Sequence, residues 1–106
     1  MIKISDSELK VMKVVWNKKQ VTSLEIIENL KDNKWKENTI RTFINRLFLK
    51  KAIGISKKVG KVYTYVPLIE ENKYRIEISK KLIEQFFNNS VLEFIEVWQQ
   101  NNKNLE

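Results

Sequence analysis

Ile40, Phe43, Ile44, Leu47 and Phe48 recur at i, i+3, i+4, i+7 and i+8, which commits the middle of the chain to a helix with one apolar face. Ala52-Ile53-Gly54 ends it, and the pattern then changes period. Two β-rich runs, Ile53 to Lys58 and Lys61 to Pro67, flank Val59-Gly60, where glycine can take the positive φ a tight turn demands. Val62, Tyr63, Thr64, Tyr65 and Val66 are β-branched or aromatic, and Pro67 closes the second run because it cannot donate to a ladder. These two runs read as a hairpin. With only two glycines and one proline in 106 residues, a many-turned β-sandwich and a collagen-like repeat both fit poorly, and helix should dominate.

Upstream, Ser5 and Glu8 stand in capping-box spacing before Leu9, Met12, Val15 and Trp16, which predicts a first helix over roughly Ser5 to Asn17. Val21 offers a short extended bridge. Thr22 and Glu25 repeat the box ahead of Leu24, Ile27 and Leu30, a short second helix; the polar turn Lys31 to Lys34 and Trp35 then lead into the central helix. Three short helices and a two-stranded hairpin make a winged helix-turn-helix, mostly α with a small β element (α+β). Beyond Pro67, Tyr74, Ile78, Leu82 and Phe86 recur every four residues, widened by Ile76, Ile83 and Phe87, so one long helix is expected from Glu70 to Phe87. Asn88-Asn89 interrupts it. Ser90 and Glu93 give a third capping spacing in front of Val91, Leu92, Phe94, Ile95 and Trp98, a fifth helix, and the polar tail from Gln99 to Glu106 should fray. The expected division is a winged-helix domain over 1–69 and a C-terminal helical arm over 70–106.

Charge is concentrated in one segment. The chain carries +7 overall, but residues 34–61 hold nine bases against one acid, while 1–33 and 62–106 are close to balanced. Within the central helix, at about 100° per residue, Asn38, Thr42 and Asn45 lie opposite the apolar stripe, flanked by Thr39, Arg41 and Arg46. These side chains match what base edges offer: Arg forks onto guanine, Asn pairs with adenine, and the Thr methyl meets thymine. A solvated helix face usually carries Glu and Lys, whereas this one has no acid after Glu37. Lys50 at the helix end and Lys57, Lys58 and Lys61 about the hairpin tip fit phosphate neutralisation, which positions a protein on DNA without specifying sequence. Lysines at a turn also serve as edge guards, and gain their meaning from the reading face beside them.

Other chemistry is excluded or unsupported. Zero cysteine and zero histidine remove disulfides, thiol catalysis, Cys/His zinc and histidine general bases. Glu77 and Glu84 share a helix face with no third ligand, so no metal or cofactor is implied and no catalytic constellation is visible. Trp16, Trp35, Tyr63 and Tyr65 match the apolar faces of their elements and are read as core. No apolar run approaches the roughly 20 residues of a membrane span, and MIKISDSELK lacks a signal-peptide core, so no membrane insertion and a cytoplasmic location are expected.

The chain resembles the penicillinase and methicillin-resistance repressors (the BlaI/MecI type) of Gram-positive bacteria. The likeness is carried by Ile4-Ser5 through Glu8-Leu9 with Val11-Met12 and Val15-Trp16, by Asn38-Thr39-Ile40-Arg41-Thr42-Phe43-Ile44-Asn45-Arg46-Leu47, and by Tyr63-Thr64-Tyr65-Val66-Pro67-Leu68-Ile69. It implies a homodimeric repressor of a β-lactam-resistance (penicillinase) operon. Its central helix would enter the major groove of a palindromic double-stranded DNA operator with TACA/TGTA-like half-sites, using Thr39, Arg41, Thr42 and Arg46. It also implies induction through a membrane sensor-protease system that cuts the C-terminal region. The aligned bond here is Glu93-Phe94, where the family has Asn before Phe, and no counterpart to the family's final acidic helix follows. The lack of cysteine excludes the copper-responsive branch.

Tyr74, Ile78, Leu82, Phe86, Phe87, Leu92, Ile95 and Trp98, with Ile83 and Phe94, are too many large apolar groups for two helices to hide alone, so the arm is expected to pair across a two-fold axis. Two alternatives stand beside this reading: a winged-helix module that binds protein instead of DNA, and, more remotely, an enzyme.

Overall fold

In the computed structural model, which describes residues 2–102, the Ser5 hydroxyl caps α1 (Asp6–Lys18) by accepting from the Glu8 backbone N–H at 3.1 Å. The Ser5 N–H in turn donates to the Glu8 carboxylate at 3.1 Å, so two otherwise orphaned donors satisfy each other's partner residue. Thr22 and Glu25 repeat this at the start of α2 (Ser23–Leu30), with bonds of 3.2 and 2.9 Å. A 3₁₀ turn over Lys31–Asn33 leads to α3 (Glu37–Leu49), which ends three residues before Ala52 and so earlier than the Ala-Ile-Gly signal suggested.

The strands are β2 (Ile53–Val59) and β3 (Val62–Pro67), antiparallel, with Val59 opposite Val62. That register moves the turn one residue along from the expected Val59-Gly60, to Gly60-Lys61, with positive φ (+61°) at Gly60. A glycine first in a two-residue loop is what a hairpin of matched twist needs. Val21 and Thr22 do more than bridge: they form β1, pairing with Tyr65 and Thr64, so the sheet has three strands in the order β1-β3-β2. Ser56 falls at a break in register between Ile55 and Lys57, a bulge on the wing's edge strand.

One face of each helix meets the sheet's end. Val11, Met12, Val15 and Trp16 from α1, Ile26 and Leu30 from α2, Ile40, Ile44 and Leu47 from α3, and Val21, Ala52, Ile53 and Tyr65 are buried together. Each large one contributes roughly 1.5–3 kcal/mol relative to exposure. The Trp16 indole N–H donates to the Ile69 carbonyl at 2.9 Å, tying α1 to the chain beyond β3. Trp35 is half-buried against Phe43, with ring centroids 5.0 Å apart, and Tyr63 is half-buried as well, so only two of the four expected core aromatics are fully enclosed.

The chain divides into two compact units, the first ending at Glu70 and the second beginning at Glu71. The second holds α4 (Glu71–Phe86) and α5 (Val91–Asn101), with Asn88 and Asn89 both left-handed (φ +52° and +63°) between them. Ser90 caps α5 by accepting from the Glu93 N–H at 3.0 Å, but Glu93 does not close the box; its carboxylate accepts from the Asn88 side-chain amide at 3.4 Å. Gln99 to Asn101 remain helical; of the tail expected to fray, residues 103–106 lie outside those described.

Candidate nucleic-acid interface

The packing of α3 decides what it can offer outward. With Ile40, Ile44 and Leu47 turned into the core, Asn38, Arg41, Thr42, Asn45 and Arg46 are exposed and Thr39 is half-buried. The two arginines occupy opposite edges of this face, about 140° apart around the helix axis. Arg41 Nε donates to Glu37 Oε2 at 3.2 Å across one helical turn, an exposed pair of small energetic weight that aligns the guanidinium along the helix. Arg46 forms no ion pair among the described residues. The Thr42 hydroxyl donates back to the Asn38 carbonyl at 3.0 Å, which fixes its rotamer and engages its O–H within the helix. Leu49, 69% exposed, shares this side, and nothing in the structure accounts for it.

Arg41 and Asn45 face the wing. Together with Ser23, Ile44, Phe48, Ile55, Tyr63 and Tyr65 they line an open groove of about 230 Å³ between α3 and the hairpin. Burial pushes the Tyr65 phenol above its ordinary pKa, Tyr63 adds to the rise, and Arg41 opposes it. Lys57, Lys58 and Lys61 are all exposed around the hairpin tip, and Lys58 Nζ sits 5.2 Å from the centre of the Tyr63 ring. Tyr63 is thus half-buried at the groove and not in the core expected of it. What signals otherwise is its position opposite Lys58 in the hairpin, one step nearer the tip than the buried Tyr65.

Lys50 stands apart from this set. Its ammonium forms an ion pair with the buried carboxylate of Glu8 and donates to the Lys3 carbonyl at 2.8 Å, so in this structure it joins the end of α3 to the start of α1 instead of projecting as a free cation beside the wing lysines. Among the described residues no group of three or more acids, histidines or cysteines converges as a metal site, and no helix is long and apolar enough to cross a membrane.

In the second unit no residue of α4 or α5 is fully buried. Nine large apolar side chains of α4 and α5 are exposed among the described residues: Ile76, Ile78, Leu82, Phe86, Val91, Leu92, Ile95, Val97 and Trp98. Tyr74 and Phe87 are half-buried. Phe87 packs edge-on against Phe94 at 5.1 Å, and Phe94 lies 6.2 Å from Trp98, so these three knit α4 to α5 within the unit. The Glu93-Phe94 peptide lies in the first turn of α5, where the Phe94 N–H donates to the Ser90 carbonyl at 3.2 Å.

A three-helix core whose third helix carries an open Arg/Asn/Thr face, together with a lysine-tipped hairpin, defines a winged helix-turn-helix protein. The chain belongs to the penicillinase repressor family, whose model matches residues 4–105. A penicillinase repressor of Bacillus licheniformis is 38% identical over 98 residues, spanning 88% of this chain and 76% of the relative. The methicillin resistance regulatory protein MecI of Staphylococcus aureus (strain N315) is 39% identical over 98 residues, spanning 88% of this chain and 79% of the relative. Among solved structures, the DNA-binding domain of the repressor BlaI superposes with a TM-score of 0.62 at 40% identity, covering 69% of this chain and 89% of that one. The Bacillus licheniformis BlaI monomeric form, solved in complex with the blaP half-operator, gives 0.59 at 39% identity, covering 70% and 92%. This is a family of repressors and not of enzymes.

Proposed function

We propose that this protein is a sequence-specific DNA-binding transcriptional repressor of a β-lactam-resistance operon, acting in the cytoplasm as a homodimer on a palindromic operator. The observation that carries the reading is the open face of α3, with Arg41, Thr42, Asn45 and Arg46 exposed in the one segment that holds the chain's excess positive charge. A monomeric relative bound to a half-operator supports an arrangement in which one protomer engages one half-site. Arg41 and Arg46, at opposite edges of the face, are suited to bases on either side of the helix axis, and Lys57, Lys58 and Lys61 to the phosphates beside the wing. A gel-shift with the DNA upstream of the protein's own gene tests this against the protein-binding alternative. A retarded, competitor-resistant complex is expected, and no shift at low salt would leave the interaction-module reading in place.

The nine exposed apolar groups of α4 and α5 support pairing of the arm with a second copy, since water-exposed clusters of that extent are uncommon on a monomer. Induction belongs to the same reading: a membrane sensor-protease system would lead to cutting at Glu93-Phe94. Because that bond is inside the first turn of α5, cutting requires the turn to open, and it leaves Phe94, whose ring packs on Phe87, no longer covalently joined to α4.

The division of labour on the face gives a test by substitution. Arg41→Ala or Arg46→Ala should lower discrimination between operator and random duplex by about 1–3 kcal/mol, because a guanidinium forked onto a base is lost. Lys61→Ala should weaken both duplexes alike and lower the salt slope by about one unit. Fluorescence titration of both duplexes at several salt concentrations reads the difference, and equal loss on random DNA from Arg41→Ala and Lys61→Ala would contradict it.

A further inference from the structure

Tyr63 occupies the mouth of the groove between α3 and the wing, and neither the core nor the reading face accounts for it. Strand alternation puts Tyr63 and Tyr65 on one side of β3, but only Tyr65 is enclosed; Tyr63 is half-exposed and shares its groove with Arg41 and Asn45. Directly across the hairpin stands Lys58, brought into register by the bulge at Ser56, and its ammonium lies 5.2 Å from the centre of the Tyr63 ring. The cation lies over the ring's negative face, so the ammonium and the phenolic O–H of Tyr63 belong to one cluster of donors. Both are donors. The group that takes two adjacent donors, one of them charged, is an anionic oxygen pair, and on a wing beside an arginine-bearing helix that pair is a backbone phosphate of the duplex.

We propose that Tyr63 and Lys58 together grip one DNA phosphate at the foot of the wing, and that this grip fixes how closely α3 approaches the base edges. The inference rests on the DNA-binding reading above. It adds a neutral donor to the phosphate contacts and makes Tyr63 a positioning residue, acting through where it holds Arg41 and Asn45. Lys57 and Lys61, which have no aromatic partner among the described residues, lack this coupling.

The test compares the full-length protein with Tyr63→Phe, Lys58→Ala and the double variant on operator and random duplexes over a range of salt. Tyr63→Phe is expected to weaken the random duplex by about fivefold and the operator further, with an unchanged salt slope, because the lost donor is uncharged and α3 is held less closely to the base edges. Lys58→Ala should weaken both and reduce the slope by about 0.9. The double variant should lose less than the product of the two single effects, since the pair shares one phosphate. Thermal unfolding of Tyr63→Phe should match wild type, which separates a lost contact from a disturbed fold. A scan of single neutral methylphosphonate linkages should find one position at which wild type and Tyr63→Phe bind alike. Wild-type binding with Tyr63→Phe unchanged within twofold, or fully multiplicative losses, overturns the proposal alone; a wild type that binds neither duplex overturns the DNA-binding reading with it.

Discussion

Phe86→Asp should leave the protein monomeric at tens of micromolar and weaken its binding to a full palindrome by about 100- to 10,000-fold, with half-site affinity nearly unchanged. The range is what is lost when a second binding event ceases to be intramolecular. Phe86, 68% exposed, closes α4 and makes none of the ring contacts that hold the second unit together. Its neighbour Phe87 makes one of them, so Phe87→Asp should damage the arm itself, and comparing the two separates loss of pairing from loss of fold. Burying even part of the nine exposed apolar groups supplies a driving force: at roughly 1.5–3 kcal/mol for each large side chain fully buried, a few of them offset the cost of association. A dimer so formed would set its two α3 helices in successive major grooves, about 34 Å apart. Sedimentation of each protein followed by titration on half-site and palindrome decides the matter. A monomeric wild type, or a monomeric Phe86→Asp with wild-type affinity for the palindrome, would refute it.

Much of this architecture was readable because the signals were local. Ser5 with Glu8 and Thr22 with Glu25 announce their helices within four residues, and the stripe from Ile40 to Phe48 fixes both the buried and the offered face of α3. What escaped depends on distance or on missing punctuation. β1 is only two residues long, too short for an alternating pattern, and its partner Tyr65 is far along the chain. Lys19, Lys34 and Lys51 take positive φ at or just beyond the ends of helical segments, positions where glycine or asparagine usually marks the stop, so the glycine nearest the end of α3, Gly54, lies well past it. The role of Lys50 is set by Glu8, 42 residues earlier, and no spacing rule connects them. Tyr63 misled for a related reason: its β-rich neighbourhood is genuine, but the strand's enclosed stretch ends at Thr64, and composition does not show where on a strand burial stops.

Lys50→Ala should cost about 3 kcal/mol of stability near neutral pH, the low end of what is lost when one partner of a buried ion pair is removed. The low end applies because the Lys50 side chain is 35% exposed, so solvent already screens the pair in part. Glu8 is 3% exposed, and losing the ammonium would leave its carboxylate buried with the Ser5 backbone N–H as its remaining donor at 3.1 Å. Burial alone would raise the Glu8 pKa; the hydrogen bond from Lys50, the bond from the Ser5 N–H and the Lys50 charge together overcome that and hold it below the ordinary 4.5. A depressed carboxylate stabilises the fold above its unfolded-state value and loses that contribution as the pH falls through the folded one. Wild type should therefore weaken as acid is added below about pH 4.5. Lys50→Ala, without the Lys50 bond and charge that oppose burial, should have Glu8 titrating higher than in wild type and should lose less on acidification. Urea unfolding of both proteins at a series of pH values should give a difference of about 3 kcal/mol at pH 7 that narrows steadily toward pH 3. A difference that stays constant with pH would mean that Lys50 stabilises α3 by packing its aliphatic stem and not through Glu8, and would return its ammonium to the set available for DNA.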